Sequence, residues 1–182
     1  MDNEIDLDLD LDLVAETIND TLPSLTMYVR DVNLDAKIAA MYKPGMIIRE
    51  PGFTDASSLN MGMITTHRYA ILSNHMSDFA EFKHEKDWGL FVAERDSHFK
   101  VLDVYEFEGR IQILLLHLPD DNRWRLFEQI VIDIEEELVS TGRVHFESSS
   151  LLAPVAALTS RDWLNRTLNP LGISDEGEIF EL

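Results

Sequence analysis

The chain contains no cysteine. That absence excludes a disulfide framework, thiolate metal sites and a cysteine nucleophile. It suits a reducing compartment, and a cytoplasmic location is expected. No apolar run approaches the ~18 residues that a membrane-spanning helix requires. The greasiest stretch, IQILLLHL from Ile111 to Leu118, has the length of a buried strand. A secretory signal opens with basic residues, whereas this chain opens with acids, so no signal peptide is expected.

Basic residues are scarce. There are 15 lysines and arginines against 34 acids in 182 residues, for a formal charge of −19. Such a field opposes direct contact with nucleic acid or an anionic membrane and leaves basic proteins as the natural partners. The acids are unevenly spread. Residues 1–20 carry eight acids and no base, while residues 21–118 carry 13 acids and 10 bases. The excess therefore sits on the N-terminal segment, one later helix and the C-terminal end.

Chemical motifs are also missing. There is no GxxxxGK[ST] or GxGxxG phosphate cradle, no HExxH step, and no GxSxG elbow around Ser148, Ser149 and Ser150. The run DLDLDLD resembles the start of a calcium loop, but every register lacks both the glycine and the closing glutamate. No catalytic residue, metal ligand or cofactor is expected on motif grounds. His67, His75 and His84 lie close in sequence, and Glu81 with His84 makes one Glu-x-x-His step where a di-iron bundle needs two. His117, within the greasiest strand, reads as a hydrogen-bonded core residue.

What is present is 45% apolar content, enough for a real core in a chain of this length. Residues 1–10 read as a loose acidic segment and residues 11–182 as a single α+β domain. Leu7, Leu11, Val14 and Ile18 share a helical face, which predicts a helix from about Leu11 to Thr21, ended by Pro23. Asp31 or Asn33 is expected to cap a second helix bearing Leu34, Ile38 and Met41. Met46 to Arg49 reads as a short strand, Pro51 to Asn60 as a loop and Met63 to Ser73 as a strand. Asn74 is expected to cap a helix through about Lys83, with Met76, Phe79 and Phe82 inward. Leu90 to Glu94, Phe99 to Phe107 and Arg110 to Leu118 read as an antiparallel meander.

Trp124, Phe127, Val131, Ile134 and Leu138 then follow helical spacing, with Gly142 as the expected C-cap residue and Arg143 to Ser148 as a last strand. A final helix is expected from Thr159 to Leu168. The expected architecture is an antiparallel sheet of about four to six strands packed against two or more helices.

The functional expectation is a non-enzymatic acidic interaction protein of inhibitor, immunity, chaperone or adaptor type. Its partner would be a basic protein or one with a hydrophobic groove. The expected contact residues are Asp6, Leu7, Asp8, Leu9, Asp10 and Leu11, where leucines supply area and aspartates meet a basic rim. Asp133, Glu136 and Glu137 join them, as acids held near a helix C-terminus against its dipole. The ribbon could equally pack on its own domain. The alternative is a small metal-dependent hydrolase using His67, His75 and His84.

Overall fold

Two segments, His67 to Ser73 and Ile111 to His117, lie side by side at the centre of the molecule and are buried throughout most of their length. The computed structural model describes residues 11–80, 82, 87–129 and 133–182. In chain order the elements are α1 (Leu11–Thr21), β1 (Thr26–Val32), α2 (Ala36–Ala39), β2 (Ile47–Glu50), β3 (Thr54–Ser57), β4 (His67–Ser73) and β5 (Ser77–Asp78). They continue with β6 (Leu90–Ala93), β7 (Ser97–Phe107), β8 (Arg110–His117), α3 (Leu126–Gln129), α4 (Asp133–Ser149) and α5 (Arg161–Arg166). Among the described residues no helix is long and apolar enough to cross a membrane.

The strands form one eight-stranded sheet in the order β2-β7-β8-β4-β1-β3-β6-β5. The sheet is mixed, because β4 and β8 run parallel while the other pairs are antiparallel. This corrects the expected antiparallel sheet of four to six strands. The β7–β8 hairpin matches expectation, and its turn at Glu108 and Gly109 has positive φ at both residues (50° and 75°), as a tight two-residue turn requires. β6, however, pairs with β3 and β5 rather than with β7.

Successive residues of a strand face opposite sides, and each face carries its own core. Tyr28, Val32, Tyr69, Ile71, Ile113 and Leu115 belong to one cluster. Ala70, Leu72, Leu114 and Leu116 belong to the other, covered by Trp124, Phe127, Leu138 and Val139.

Other local expectations change for identifiable reasons. Asp31 caps no helix. It lies buried in β1 and pairs with Arg68, while Asp35 caps α2 by accepting from the Ile38 amide at 2.9 Å. The expected loop over Pro51 to Asn60 contains β3. The expected helix after Asn74 is replaced by β5, because the Phe79 amide donates to the Leu90 carbonyl at 2.9 Å and the Asp78 carboxylate takes the Ala80 amide at 2.8 Å. Phe79 and Phe82 are consequently exposed. Gly142 lies inside α4, which runs on through the expected last strand. A Cβ there would sit 2.9 Å from the Leu114 side chain, so glycine lets the helix approach β8 closely. The last helix is shorter than expected, running from Arg161 to Arg166, with the Ser160 hydroxyl rather than Thr159 at its start accepting from the Trp163 amide at 3.3 Å.

Candidate active site

β1 delivers two charged side chains to opposite faces of the sheet. Asp31 points to one side and Arg30 to the other, beside Tyr69 on β4. Arg30 is 5% exposed. It donates from one terminal nitrogen to the Asp55 carbonyl at 3.1 Å and from the other to the Asn169 carbonyl at 2.8 Å. Its buried Nε has no hydrogen-bond partner. Burial pushes the guanidinium pKa down, and nearby Tyr69, Asp55 and Glu50 oppose that shift. An arginine nonetheless stays charged at any ordinary pH. Its fixed positive charge is met by two carbonyl dipoles, and among the described residues no carboxylate forms an ion pair with it.

This residue lines a cleft of about 670 Å³ together with Glu50, Phe53, Asp55, Arg166, Asn169 and Glu176. Glu50 ties two walls together. One of its oxygens accepts from the Gly52 amide at 2.9 Å and the other from the Gly172 amide at 2.7 Å. Gly172 is required there, because its φ is +66° and a Cβ would meet Ile48 at 3.1 Å. Asp55 accepts from Arg166 at 2.8 Å, so both are held. Beneath them the Tyr42 and Tyr69 hydroxyls lie 2.6 Å apart; Tyr42 donates to the Leu171 carbonyl at 2.6 Å, and the Leu171 amide donates to Tyr69 at 3.2 Å. Burial pushes the Tyr69 phenol up to about 12 and the Tyr42 phenol higher still.

The far wall is the C-terminal hairpin. Ile173 bridges Ile179, the Ser174 amide donates to the Glu178 carbonyl at 2.7 Å, and Gly177 turns the chain at φ +80°. The Arg49 amide then donates to the Phe180 carbonyl at 2.9 Å, which adds this segment to the edge of the sheet beside β2. The hairpin presents Asp175 and Glu176 at the rim, exposed and without a hydrogen-bond or ion-pair partner among the described residues. The cleft thus combines a buried, underused cation with free carboxylates. Such a set can hold phosphate oxygens on Arg30 and sugar hydroxyls or a developing cation on the carboxylates.

None of the expected contact residues lines this cleft. Asp6, Leu7, Asp8, Leu9 and Asp10 lie outside the described residues. Leu11 opens α1 and Asp133 opens α4, while Glu136 and Glu137 are exposed on α4. The dipole argument for these acids does not hold, because α4 runs on to Ser149 and Asp133, Glu136 and Glu137 lie at least 12 residues before its last residue, beyond the last turn where the dipole acts. His67 and His75 stand at opposite ends of β4, roughly 20 Å apart along a seven-residue strand, and His84 is outside the described residues. The hydrolase site built on those three does not assemble.

Sequence reasoning missed Arg30, Glu50, Arg166 and Glu176. The segment TMYVRDV, rich in β-formers between Pro23 and Asn33, was the available signal for β1. Its two adjacent charges broke the apolar alternation and hid the strand.

No protein-family model and no curated protein matches this chain. Solved structures similar to part of it include the ADP-ribosyltransferase Vis from Vibrio splendidus in complex with an inhibitor, at 11% identity and TM-score 0.44 over 53% of this chain and 50% of that one. The ADP-ribosyltransferase HopU1 of Pseudomonas syringae is 15% identical with TM-score 0.46, over 52% of this chain and 45% of that one. Exoenzyme S from Pseudomonas aeruginosa, complexed with human 14-3-3 protein beta and bound to Carba-NAD, is 12% identical with TM-score 0.43, over 56% and 53%. The similar region spans about half the length of each of these structures. Their names are those of transferases, not of the inhibitors or adaptors that the sequence led us to expect.

Proposed function

We propose that this chain is an enzyme whose Arg30 cleft binds a ligand carrying phosphate groups next to a sugar. The observation that carries this reading is the buried Arg30 guanidinium, whose Nε has no partner although it lines a polar cleft. Leaving a buried charged donor unmet costs roughly 1–3 kcal/mol or more. A phosphate oxygen entering the cleft would meet the guanidinium with a strong charge-assisted bond. Arg166 stands on the same cleft and can share the anion. Glu176, and Glu178 two residues on, supply carboxylates on the opposing hairpin.

The reaction we propose for these groups is ADP-ribosyl transfer, the activity named for the transferases above. In it the C–N bond between the ribose and nicotinamide of a dinucleotide breaks, and nicotinamide leaves with the bonding pair. The ribosyl cation is stabilised by a carboxylate and captured by an acceptor nucleophile, whose proton passes to a carboxylate. A protein acceptor or partner belongs to the same proposal, as does a cytoplasmic setting, which the lack of cysteine supports. The test is nicotinamide release from NAD by the full chain. Glu176→Gln and Glu178→Gln are assayed beside it, and at least one should lose about 10²–10⁴-fold in rate while still binding ADP-ribose. Equal rates in both variants and the parent would remove the carboxylates from the mechanism. No nicotinamide release, with ADP-ribose still bound, would leave a binding site without this reaction.

A further inference from the structure

At the far end of β4, away from the Arg30 cleft, three metal-ligating groups converge. His75 Nε2 lies 3.7 Å from one Asp120 oxygen, and His117 Nε2 lies 3.7 Å from the other. One donor atom from each of the three residues falls within a 4.8 Å cluster. We propose that His75, His117 and Asp120 form a binding site for a divalent transition-metal ion of the zinc class.

The convergence of these donor atoms carries the argument, and hydrogen bonds hold the rings that supply them. The Asn74 amide nitrogen donates to the Asp20 and Pro23 carbonyls at 2.7 and 3.3 Å, which fixes its orientation. Its Oδ1, an acceptor only, lies 2.9 Å from His75 Nδ1. His75 therefore carries a proton on Nδ1, which leaves Nε2, 3.7 Å from an Asp120 oxygen, as its ligand atom. His117 is held in the same manner, with Nδ1 at 2.8 Å from the Ser73 hydroxyl. That hydroxyl can accept from an Nδ1 proton. His117 Nε2 also lies 3.2 Å from the Ser97 hydroxyl, whose own proton goes to the Glu94 carbonyl at 2.7 Å, so ligation moves the ring proton from Nε2 to Nδ1 and gives up the Ser97 contact. An oxygen acceptor behind each ligating imidazole is the usual support of a metal site.

Distances agree with this assignment. Metal bonds of ~2.0–2.2 Å place the donor atoms of a tetrahedral site roughly 3.3–3.6 Å apart, within a few tenths of the two histidine–carboxylate separations. The rings stack at 3.9 Å with planes 21° apart. His117 is buried and also stacks on Phe99, so it stays, and the His75 side chain, 29% exposed, tilts to bring its lone pair onto the ion. A cleft of about 460 Å³ on the Asp120 side leaves room for water in the fourth position. With two imidazoles, one carboxylate and no thiolate, zinc is the best-matched ion, with cobalt as its spectroscopic stand-in. The ion would join the end of β4, the segment after β8 and, through Asn74, the end of α1.

The test uses the full chain without a histidine tag, stripped with chelator, then titrated with zinc chloride by calorimetry and cobalt chloride by absorption. One equivalent should bind, with the intense visible bands of tetrahedral cobalt. His75→Ala and Asp120→Asn should each weaken binding more than tenfold, and Glu136→Gln should not. Saturating zinc should raise the Tm of the parent but not of His75→Ala, which separates lost ligation from lost folding. Absence of zinc heat and cobalt bands in the parent, or unchanged affinity in a His75→Ala/Asp120→Asn double variant, would overturn the site. Either result leaves the Arg30 cleft untouched.

Discussion

Arg30 and Arg68 occupy adjacent strands, and both are buried, at 5% and 1% exposed. Their environments differ completely. Arg68 donates to both oxygens of Asp31 at 2.6 and 2.8 Å, and to the Met61 carbonyl and Asn60 side chain at 2.8 and 3.0 Å. Arg30, on the opposite face, has two backbone carbonyls and an unpartnered Nε. A buried charge that serves the fold is closed off by its partners, because an uncompensated one is costly. A buried charge left open, at the bottom of a cleft, is compensated when something binds. On the proposed function, the difference separates a structural face of the sheet from a working one.

The largest effect should come from breaking the closed pair. Arg68→Met leaves Asp31 buried without its partner and should cost about 3–5 kcal/mol in urea denaturation. The double variant Asp31→Leu/Arg68→Met should recover most of that loss. A small loss in the single variant would mean that Arg68 is no more structural than Arg30.

A smaller effect should mark the working face at high pH. Burial raises the Tyr69 phenol to about 12 and Tyr42 above it, against ~10 in the unfolded chain. Both therefore contribute stability that is full below pH ~10 and lost as pH rises toward the folded values, by about 2–3 kcal/mol for Tyr69. Denaturation midpoints from pH 9 upward should fall accordingly, and Tyr42→Phe/Tyr69→Phe should flatten the fall.

Salt should sharpen the contrast further, with the least effect on stability. At −19 formal charge, moderate salt should raise Tm by screening self-repulsion. The buried Arg68–Asp31 pair should be insensitive to it. Anion binding at Arg30 should weaken as salt increases. A Tm that falls with salt would mean that attraction between native charges dominates.

The sequence was most legible where periodicity was uninterrupted. α1 runs over the expected Leu11 to Thr21, and β8 follows the apolar run from Ile111. Pairing was not legible, because the parallel contact of β4 with β8 brings together strands separated by the whole β5 to β7 excursion. The working cleft was hidden for a related reason. Arg30, Glu50, Arg166 and Glu176 are scattered along the chain, and each sits in a segment whose own pattern is unremarkable. The acids that did stand out locally, Glu136 and Glu137, are exposed on α4 and do not line that cleft.

The most direct test is calorimetric titration of ADP-ribose into the full chain and into Arg30→Met, with urea denaturation of both. The open-charge reading predicts one-to-one binding to the parent, at least tenfold weaker binding to Arg30→Met, and a stability change within about 1 kcal/mol, the range of an ordinary tolerated substitution. Undiminished binding in Arg30→Met, or a loss of stability as large as that of Arg68→Met, would contradict it.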